Sequence, residues 1–274
     1  MKVISKYLSI IATFLLLSGC EEVIDVPLEN AKPKLVIEAN IKWQLGTDGN
    51  LQTVKLSLTN DFYTSDILPA NGAIVTITDA ANTIFNFIQT PNTPNYICGN
   101  FSPLVNETYT LKVIYNGETY SSTAKLLPTP PIVDIQQETV KGIGGKDEIH
   151  IKYFFQDDEN EVNYYLLRVD NPKIKYAEYG SVSDEFFQGN LMFGFYPNEV
   201  IKGNTLKLGV QCVTLSHYNF MNKLINISSQ NSGNPFATPP ATLRGNIVNQ
   251  TNPDNFPYGS FNLSESDTKE YTVQ

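Results

Sequence analysis

The densest group of potential metal ligands in the chain is the acidic run Asp157-Asp158-Glu159-Asn160-Glu161. Carboxylate and amide oxygens at alternating positions are the ligands that a protein loop offers to Ca²⁺. An EF-hand loop also needs Gly at its sixth position and Glu at its twelfth, and counted from Asp157 those positions hold Val162 and Arg168. The run therefore lacks that motif, and we interpret it as a solvated hairpin loop between two strands. The sequence leaves open whether calcium binds near Asp157.

Motifs of common catalytic and cofactor-binding sites do not occur elsewhere in the sequence. His150 and His217 belong to neither a His-x-Glu nor a His-Glu-x-x-His arrangement, which argues against zinc chemistry. The serine-hydrolase motif Gly-x-Ser-x-Gly is missing, and Gly142-Ile143-Gly144-Gly145 lacks the Lys-Ser/Thr that follows a phosphate loop. The carboxylates of a glycoside hydrolase pair in space rather than in sequence, so a hydrolase stays a third alternative. We expect a non-enzymatic protein without a cofactor or a metal.

One cysteine thiol does have surroundings that predict chemistry. Lys2 and Lys6 precede the apolar stretch Leu8–Leu17, which as a helix is about 15 Å long and too short to cross a bilayer. The stretch ends in Leu17-Ser18-Gly19-Cys20, which resembles the lipobox cut by lipoprotein signal peptidase. An ordinary secretory signal with a chance cysteine is the alternative. The spacing favours a lipoprotein signal peptide at residues 1–19, acylation of Cys20, and an acylated tether at residues 20–32.

Two acidic residues follow the cysteine directly. Glu21 and Glu22 resemble the surface-export signal of outer-membrane lipoproteins. Their alternative role is that of a merely solvated tether. We therefore predict a lipid-anchored protein of the outer membrane that faces the cell surface, with Glu21 and Glu22 as export-signal candidates.

Composition excludes one class of partner. Removal of residues 1–19 takes away Lys2 and Lys6, and leaves 17 basic residues against 28 acidic ones, a formal net charge of −11. A surface of this charge repels phosphate backbones, and the sequence has no basic stripe. Nucleic acid is therefore rejected as a partner.

Alternating apolar and polar residues in the first half predict β-strands. Leu35, Ile37, Ala39 and Ile41 would share one face, and the pattern continues in further short runs. Asn116-Gly117 predicts a tight hairpin, because both residues tolerate positive φ. About seven short strands in this region are typical of an immunoglobulin-like β-sandwich at residues 33–127.

The second half is also predicted to be mostly β. The prolines in residues 128–131 predict a linker, and a second β-sandwich-like domain would follow at residues 132–274. Apolar residues at helical spacing predict one helix near 216–229, with Ser216 as its N-cap. Separate short strands are expected near 258–263 and 270–273. The predicted fold class is all-β with one helix.

Aromatic residues are concentrated in the second half and have two interpretations. In a two-layer β domain most of them would lie in the core. The alternative is an exposed aromatic platform that binds a peptide, a glycan or the rim of a β-barrel. These residues are Tyr164, Tyr165, Tyr176, Tyr179, Phe186, Phe187, Phe193, Phe195 and Tyr196.

Segments near the C-terminus resemble a known family. They are Gly233-Asn234-Pro235-Phe236, Gly245-Asn246-Ile247 and Tyr258-Gly259-Ser260-Phe261. Together with the lipobox, the strands and the proline linker, they resemble the lipoprotein family called domain-of-unknown-function family 4249. Gly259-Ser260-Phe261 departs from that family's more usual Gly-Tyr-Phe. The resemblance covers nearly the whole mature chain and implies no catalytic residues.

Members of that family are commonly associated with TonB-dependent transporters, and the resemblance therefore implies an accessory role. The expected partners are the lipid bilayer, through acylated Cys20, and a TonB-dependent β-barrel nutrient transporter. The alternative function is a stand-alone surface module that binds glycan or peptide or mediates adhesion.

The proline-rich tail provides two candidates for docking to the transporter. Prolines keep such a segment out of sheets, so Phe236 and Phe256 would lie along a surface. Long loops with aromatic anchors are often functional. The alternative is that Phe236 and Phe256 pin the loop to its own domain.

Overall fold

The structure, a computed structural model, describes residues 32–60, 64, 66–142, 144–197, 200–230 and 243–274. In this part of the chain the protein is nearly all β with one helix, as predicted. The elements in chain order are β1 Leu35–Gln44, β2 Gln52–Leu58, β3 Leu68–Pro69, β4 Ile74–Thr78, β5 Ile84–Gln89, β6 Asn95–Cys98, β7 Thr108–Tyr115, β8 Glu118–Leu127, β9 Ile132–Lys141, β10 Asp147–Gln156, β11 Tyr164–Asp170, β12 Glu178–Ser183, β13 Leu191–Tyr196, β14 Thr205–Val213, α1 Leu215–Gln230, β15 Val248–Asn249 and β16 Tyr258–Thr272.

Eight strands of the first half and the C-terminus form a closed ring. Their order is β16-β1-β2-β6-β5-β4-β7-β8, and β8 pairs back to β16 through Leu126 and Leu127. The alternating pattern of β1 places Ile37, Ala39 and Ile41 in a fully buried core, as predicted. Alternating strands that close on each other bury one face of every strand and leave few unpaired edges.

The Asn116-Gly117 turn is confirmed. Asn116 has a φ of 48° and Gly117 a φ of 79°, and Tyr115 pairs with Glu118 across the turn. Both central residues lie in the left-handed region, as a type I′ hairpin requires. The dipeptide therefore sets the register of β7 and β8.

The second half is a two-layer sandwich. One layer consists of β12, β11, β14 and the C-terminal part of β16, and the other has the order β13-β10-β9. The core between the layers takes Tyr153 and Phe155 from β10, Tyr165 from β11, and Leu206 and Leu208 from β14. The region thus has the predicted β-sandwich character.

The long strand β16 belongs to both halves. Its residues Tyr258–Ser266 pair in parallel with β1, and Ser266–Thr272 pair antiparallel with β14. Residues Pro33–Gln274 accordingly form one compact unit. The predicted split into domains at 33–127 and 132–274 is not confirmed. The two short strands expected near 258–263 and 270–273 are one continuous strand.

The predicted helix is present, but its cap differs. α1 begins one residue before the predicted start, and Thr214 is the N-cap because its Oγ1 accepts a hydrogen bond from the His217 N–H at 3.3 Å. Ser216 lies inside the first turn instead. Side-chain capping by Thr satisfies a donor that the helix itself cannot pair. Within the described residues, no helix combines the length and the hydropathy needed to cross a bilayer.

Candidate functional site

Most of the residues predicted to act at a membrane or a partner lie outside the described residues. These are Cys20, Glu21, Glu22 and Phe236. Their predicted roles in acylation, export and docking stay predictions. Phe256 is the one docking candidate within the described part of the chain.

Phe256 is half-buried among its own neighbours. Lys34 Nζ lies 3.8 Å from the centre of its ring, and the Arg244 guanidinium lies 3.8 Å from the same centre. Tyr258 meets the ring edge-on at 5.7 Å. Two cations on one aromatic ring tie the segment before β1, at Lys34, to the segment before β16, which holds Arg244 and Phe256. This arrangement favours the interpretation that Phe256 pins its own loop.

The loop before Phe256 is also bonded to the β7–β8 hairpin. Glu118 Oε2 accepts hydrogen bonds from Tyr120 at 2.6 Å, Asn249 at 3.1 Å and Asn255 at 2.6 Å. The hydrogen bond from Tyr120 holds the pKa of the Glu118 carboxyl below its usual range. A carboxylate that accepts several hydrogen bonds is stabilised in its charged form. The segment is therefore part of the ring's surface.

The outer side of the three-stranded sheet carries an exposed aromatic face, which we define as Phe154, Leu191, Phe193 and Phe195. Phe193 is 49% exposed and Phe195 is 47% exposed. Phe154 and Phe193 are cross-strand partners with ring centres 5.7 Å apart. Contiguous exposed apolar side chains are uncommon on soluble surfaces and typically mark interaction sites.

The loop between β12 and β13 adds two more exposed rings. Phe186 is 85% exposed and Phe187 is also exposed. The expectation that most aromatic residues of this half lie in the core is therefore wrong for the following residues: Tyr176, Phe186, Phe187, Phe193 and Phe195. Tyr165 and Tyr196 are buried, as that expectation required.

Charged and polar groups border the aromatic face. Lys152 forms an ion pair of 2.8 Å with Glu138, and its Nζ lies 5.9 Å from the centre of the Phe195 ring. His150 meets Phe195 edge-on at 5.2 Å. Among the described residues, β13 and β9 are the two edge strands of this sheet. An apolar centre with a polar rim at a sheet edge resembles the general composition of protein–protein interfaces.

The acidic run after β10 differs from its predicted form. β10 and β11 lie in different layers, so the run connects two sheets and is not a hairpin. Asp158, Glu159, Asn160 and Glu161 are exposed, as predicted, but Asp157 is only 4% exposed. Its Oδ1 accepts a hydrogen bond from Tyr165 at 2.5 Å, and its Oδ2 accepts one from the Gly189 N–H at 2.9 Å.

A second carboxyl group lies beside Asp157. Asp184 is 0% exposed, and its Oδ2 accepts a hydrogen bond from the Asn163 N–H at 2.8 Å. Burial raises the pKa of Asp184, and the neighbouring Asp157 raises it further. Within the described ranges, no three Asp, Glu, His or Cys side chains cluster in a way that could hold a metal. The sequence did not indicate this pair, because its members are separated by the whole of β11 and β12.

A buried polar seam runs along the outer side of β16. Ser260, Asn262 and Ser264 alternate with core residues and are all buried beneath other elements. Gln211 donates to Ser264 at 2.9 Å, and His217 of α1 shares a hydrogen bond of 3.0 Å with Ser260. Desolvation by burial lowers the pKa of His217 to about 4, so its ring is neutral near pH 7. The seam holds α1 and β14 against β16.

Two of the tail segments that carry the family resemblance, Gly245-Asn246-Ile247 and Tyr258-Gly259-Ser260-Phe261, have a structural explanation, and the third lies outside the described residues. The Asn246 side chain donates to the Phe261 carbonyl at 2.8 Å and accepts from the Phe261 N–H at 2.8 Å, so it replaces a strand partner for β16. A Cβ on Gly259 would lie 2.0 Å from the Ile37 carbonyl oxygen, and one on Gly245 would lie 1.8 Å from the Gly259 carbonyl oxygen. Only glycine permits these backbone approaches.

These features define a β-sandwich protein with a closed ring, a second open sandwich and an exposed aromatic face. The chain belongs to the family described as "Domain of unknown function (DUF4249)", whose model matches residues 21–270. This confirms the family resemblance. No curated protein matches the sequence.

The comparison with solved structures gives matches of low identity and low TM-score. A two fibronectin type-III domain segment from chicken tenascin has 10% identity and a TM-score of 0.22, and the match covers 66% of this chain and 90% of that chain. The FN1–FN3 domains of chicken CNTN1 have 13% identity and a TM-score of 0.26, with 67% and 62% covered. A DUF4785 family protein from Legionella pneumophila has 11% identity and a TM-score of 0.26, with 65% and 51% covered. No function is carried over at these scores.

Proposed function

We propose that this protein is a non-enzymatic, lipid-anchored accessory protein of the outer membrane that binds a TonB-dependent β-barrel transporter through its aromatic face. The observation that carries the proposal is the exposed row of Leu191, Phe193 and Phe195 on the edge strand β13. Exposed aromatic side chains are favoured at interfaces because they bury a large area at a small entropic cost.

The proposed anchor is supported by the position of the family match. The match begins at residue 21, directly after Cys20. The matched residues thus all lie within the mature chain, residues 20–274, that cleavage before Cys20 would produce. We also propose that the first half is an immunoglobulin-like module to which β16 contributes a strand.

The anchor has its own test. Cys20→Ser removes the thiol that would accept the acyl chains. We expect the variant to be unprocessed or to leave the membrane fraction, as seen by fractionation and by intact-mass measurement. Normal processing and membrane recovery of Cys20→Ser would contradict the proposed anchor.

The docking surface is tested by the double variant Phe193→Ser and Phe195→Ser. The intact outer membrane is crosslinked, solubilised in detergent, and the protein is purified with its partners. We expect the recovery of a β-barrel transporter to fall by about tenfold or more, the size of effect typical of aromatic hot spots. Thermal unfolding of the same variant checks that the fold is retained.

A matched control lies on the ring. Ile88 of β5 is an exposed apolar residue far from the aromatic face in sequence and in sheet order. Ile88→Ser should leave the recovery unchanged. Equal recovery from the folded double variant would exclude the aromatic face as the docking surface. Loss of binding to a soluble glycan or peptide, with no transporter recovered from wild type, would favour a stand-alone binding module instead.

A further inference from the structure

Two buried carboxyl groups in the second half lie side by side without a counter-charge. Asp157 and Asp184 are both buried, and neither forms an ion pair with a Lys, Arg or His of the described residues. Taking an unpaired carboxylate out of water is strongly unfavourable, and a second one beside it adds repulsion. Such a pair needs either a proton or a cation.

The hydrogen bonds around the pair leave two oxygen atoms unused. Both oxygens of Asp157 accept one hydrogen bond each, from Tyr165 and from Gly189. Asp184 Oδ2 accepts from the Asn163 N–H, whereas the buried Asp184 Oδ1 accepts from no N–H or O–H group of the described residues, and the Asp184 side chain lies within hydrogen-bonding reach of the Asp157 carboxyl. The side-chain oxygen of Asn163 is also buried with no partner. Buried acceptors are rarely left unpaired in folded proteins.

These atoms have the chemistry of a hard-cation site. We propose that Asp157, Asp184 and Asn163 hold a calcium ion. Calcium takes carboxylate and amide oxygens in flexible geometry, and each carboxylate oxygen that accepts one hydrogen bond keeps a further lone pair for a metal. Magnesium demands a stricter octahedron, and zinc favours nitrogen and sulfur ligands. With two carboxylates, we expect a dissociation constant of about 10⁻⁴–10⁻³ M.

The site joins two connections of the second half. Asp157 begins the β10–β11 connection, Asn163 ends it, and Asp184 begins the β12–β13 loop. The Asp184 carbonyl accepts from the Phe187 N–H at 2.5 Å, and Gly189, at a φ of 72°, donates to Asp157. Calcium would therefore hold the loop that presents Phe186 and Phe187. This inference does not depend on the identity of the docking partner.

The test measures thermal unfolding of the full mature chain, purified from membranes in detergent, with calcium chloride or with EDTA near neutral pH. We expect calcium at ten times its dissociation constant to raise Tm by about 3–5 °C, the shift that mass action predicts for a chain of this size. Magnesium at the same concentration should raise it less. Identical Tm values in calcium and EDTA would overturn the proposal and show that the two carboxyl groups share a proton.

Variants locate the ion. Asp184→Asn should lose the calcium-dependent shift while its Tm in EDTA stays at or above that of wild type, because the repulsion with Asp157 is gone. Asp158→Asn, an exposed change in the same acidic run, should keep the full shift. A full shift in Asp184→Asn would place the ion elsewhere and overturn the proposal.

A second variant covers the case in which Asp184→Asn does not fold. Asn163→Ala keeps both carboxylates and the backbone N–H that Asp184 accepts from, and removes only one proposed ligand. Isothermal titration with calcium chloride should then show affinity weaker by about tenfold. Affinity within twofold of wild type in Asn163→Ala would contradict the ligand set.

Discussion

The closed ring and the open sandwich differ in their strand edges and in the burial of unpaired carboxyl groups. In the ring, eight strands pair in a closed circuit. In the sandwich, β13 is an edge strand with exposed phenylalanines, and two carboxyl groups lie buried without an ion pair among the described residues. Closure of the ring favours stability, whereas exposed aromatic edges and buried charges are unfavourable unless something binds them.

This difference indicates a division of roles within one compact unit. In our proposal the ring supports the sandwich, and the sandwich carries the groups that would contact a partner or an ion. β16 links the two, because its first part is a ring strand and its last part is a sandwich strand. The ring and the sandwich should therefore unfold in one cooperative transition, although we propose different roles for them.

The largest expected effect comes from the shared strand. Phe261 of β16 is fully buried in the ring core. Phe261→Ala should lower the free energy of unfolding by about 3–5 kcal/mol through lost burial and a cavity. Denaturant unfolding followed by Trp43 fluorescence would report on the ring, and hydrogen exchange in β14 would report on the sandwich.

Both probes should shift together in Phe261→Ala. An unchanged β14 transition would show that the halves unfold independently, and would contradict the claim that β16 makes the ring and the sandwich unfold together. Ile88→Ala, at an exposed ring position, should change stability by about 0.5 kcal/mol or less.

The seam under α1 should contribute a loss of stability at acidic pH, opposite in sign to the effect of Asp184, whose pKa is raised by burial. The folded pKa of His217 is about 4, below its ordinary value of 6.5, so folding favours the neutral ring. The stabilisation is complete above about pH 6.5 and is lost as pH falls towards 4, with a total of about 3 kcal/mol. Urea unfolding between pH 7 and pH 4 measures this loss.

A substitution of His217 and an exposed control provide a matched pair for that measurement. His217→Gln should flatten the pH dependence between pH 6.5 and 4. Asn86→Ala, at an exposed position on β5, should leave it as in wild type. The same slope in His217→Gln and wild type would contradict the assignment to the seam.

A smaller loss is expected at the side chain that pairs with β16. Asn246→Ala removes both hydrogen bonds to the Phe261 main chain and should cost about 1–3 kcal/mol. Asn86→Ala, at an exposed position on β5, is the control and should have almost no effect. Equal melting temperatures for Asn246→Ala and Asn86→Ala would show that the family segment is not needed for the strand.

Local pattern predicted much of the ring but not its closure. The alternation in β1 and the Asn116-Gly117 turn predicted strands and a hairpin, because both depend on neighbouring residues. The pairing of β1 with β16 joins residues more than 200 positions apart, and a single sequence holds no local signal for it. The order of strands in the ring could therefore not be predicted from the sequence alone.

The candidate site was harder to predict for a related reason. All six positions of β13 are apolar or glycine, so alternation could not show which row of aromatic side chains faces outward. Asp157 looked like part of a solvated run, and only the fold places it beside Asp184. The anchor at Cys20, in contrast, is predicted from local sequence: Lys2 and Lys6, the apolar stretch Leu8–Leu17, and the motif Leu17-Ser18-Gly19-Cys20 that follows it.

The most direct test of the central claim is site-specific photocrosslinking in intact cells. A photoreactive residue replaces Phe193 on the aromatic face in one strain and Ile88 on the ring in another. We expect a crosslinked product with a β-barrel transporter from position 193 and none from position 88. No product from position 193, or the same product from both positions, would contradict docking through the aromatic face.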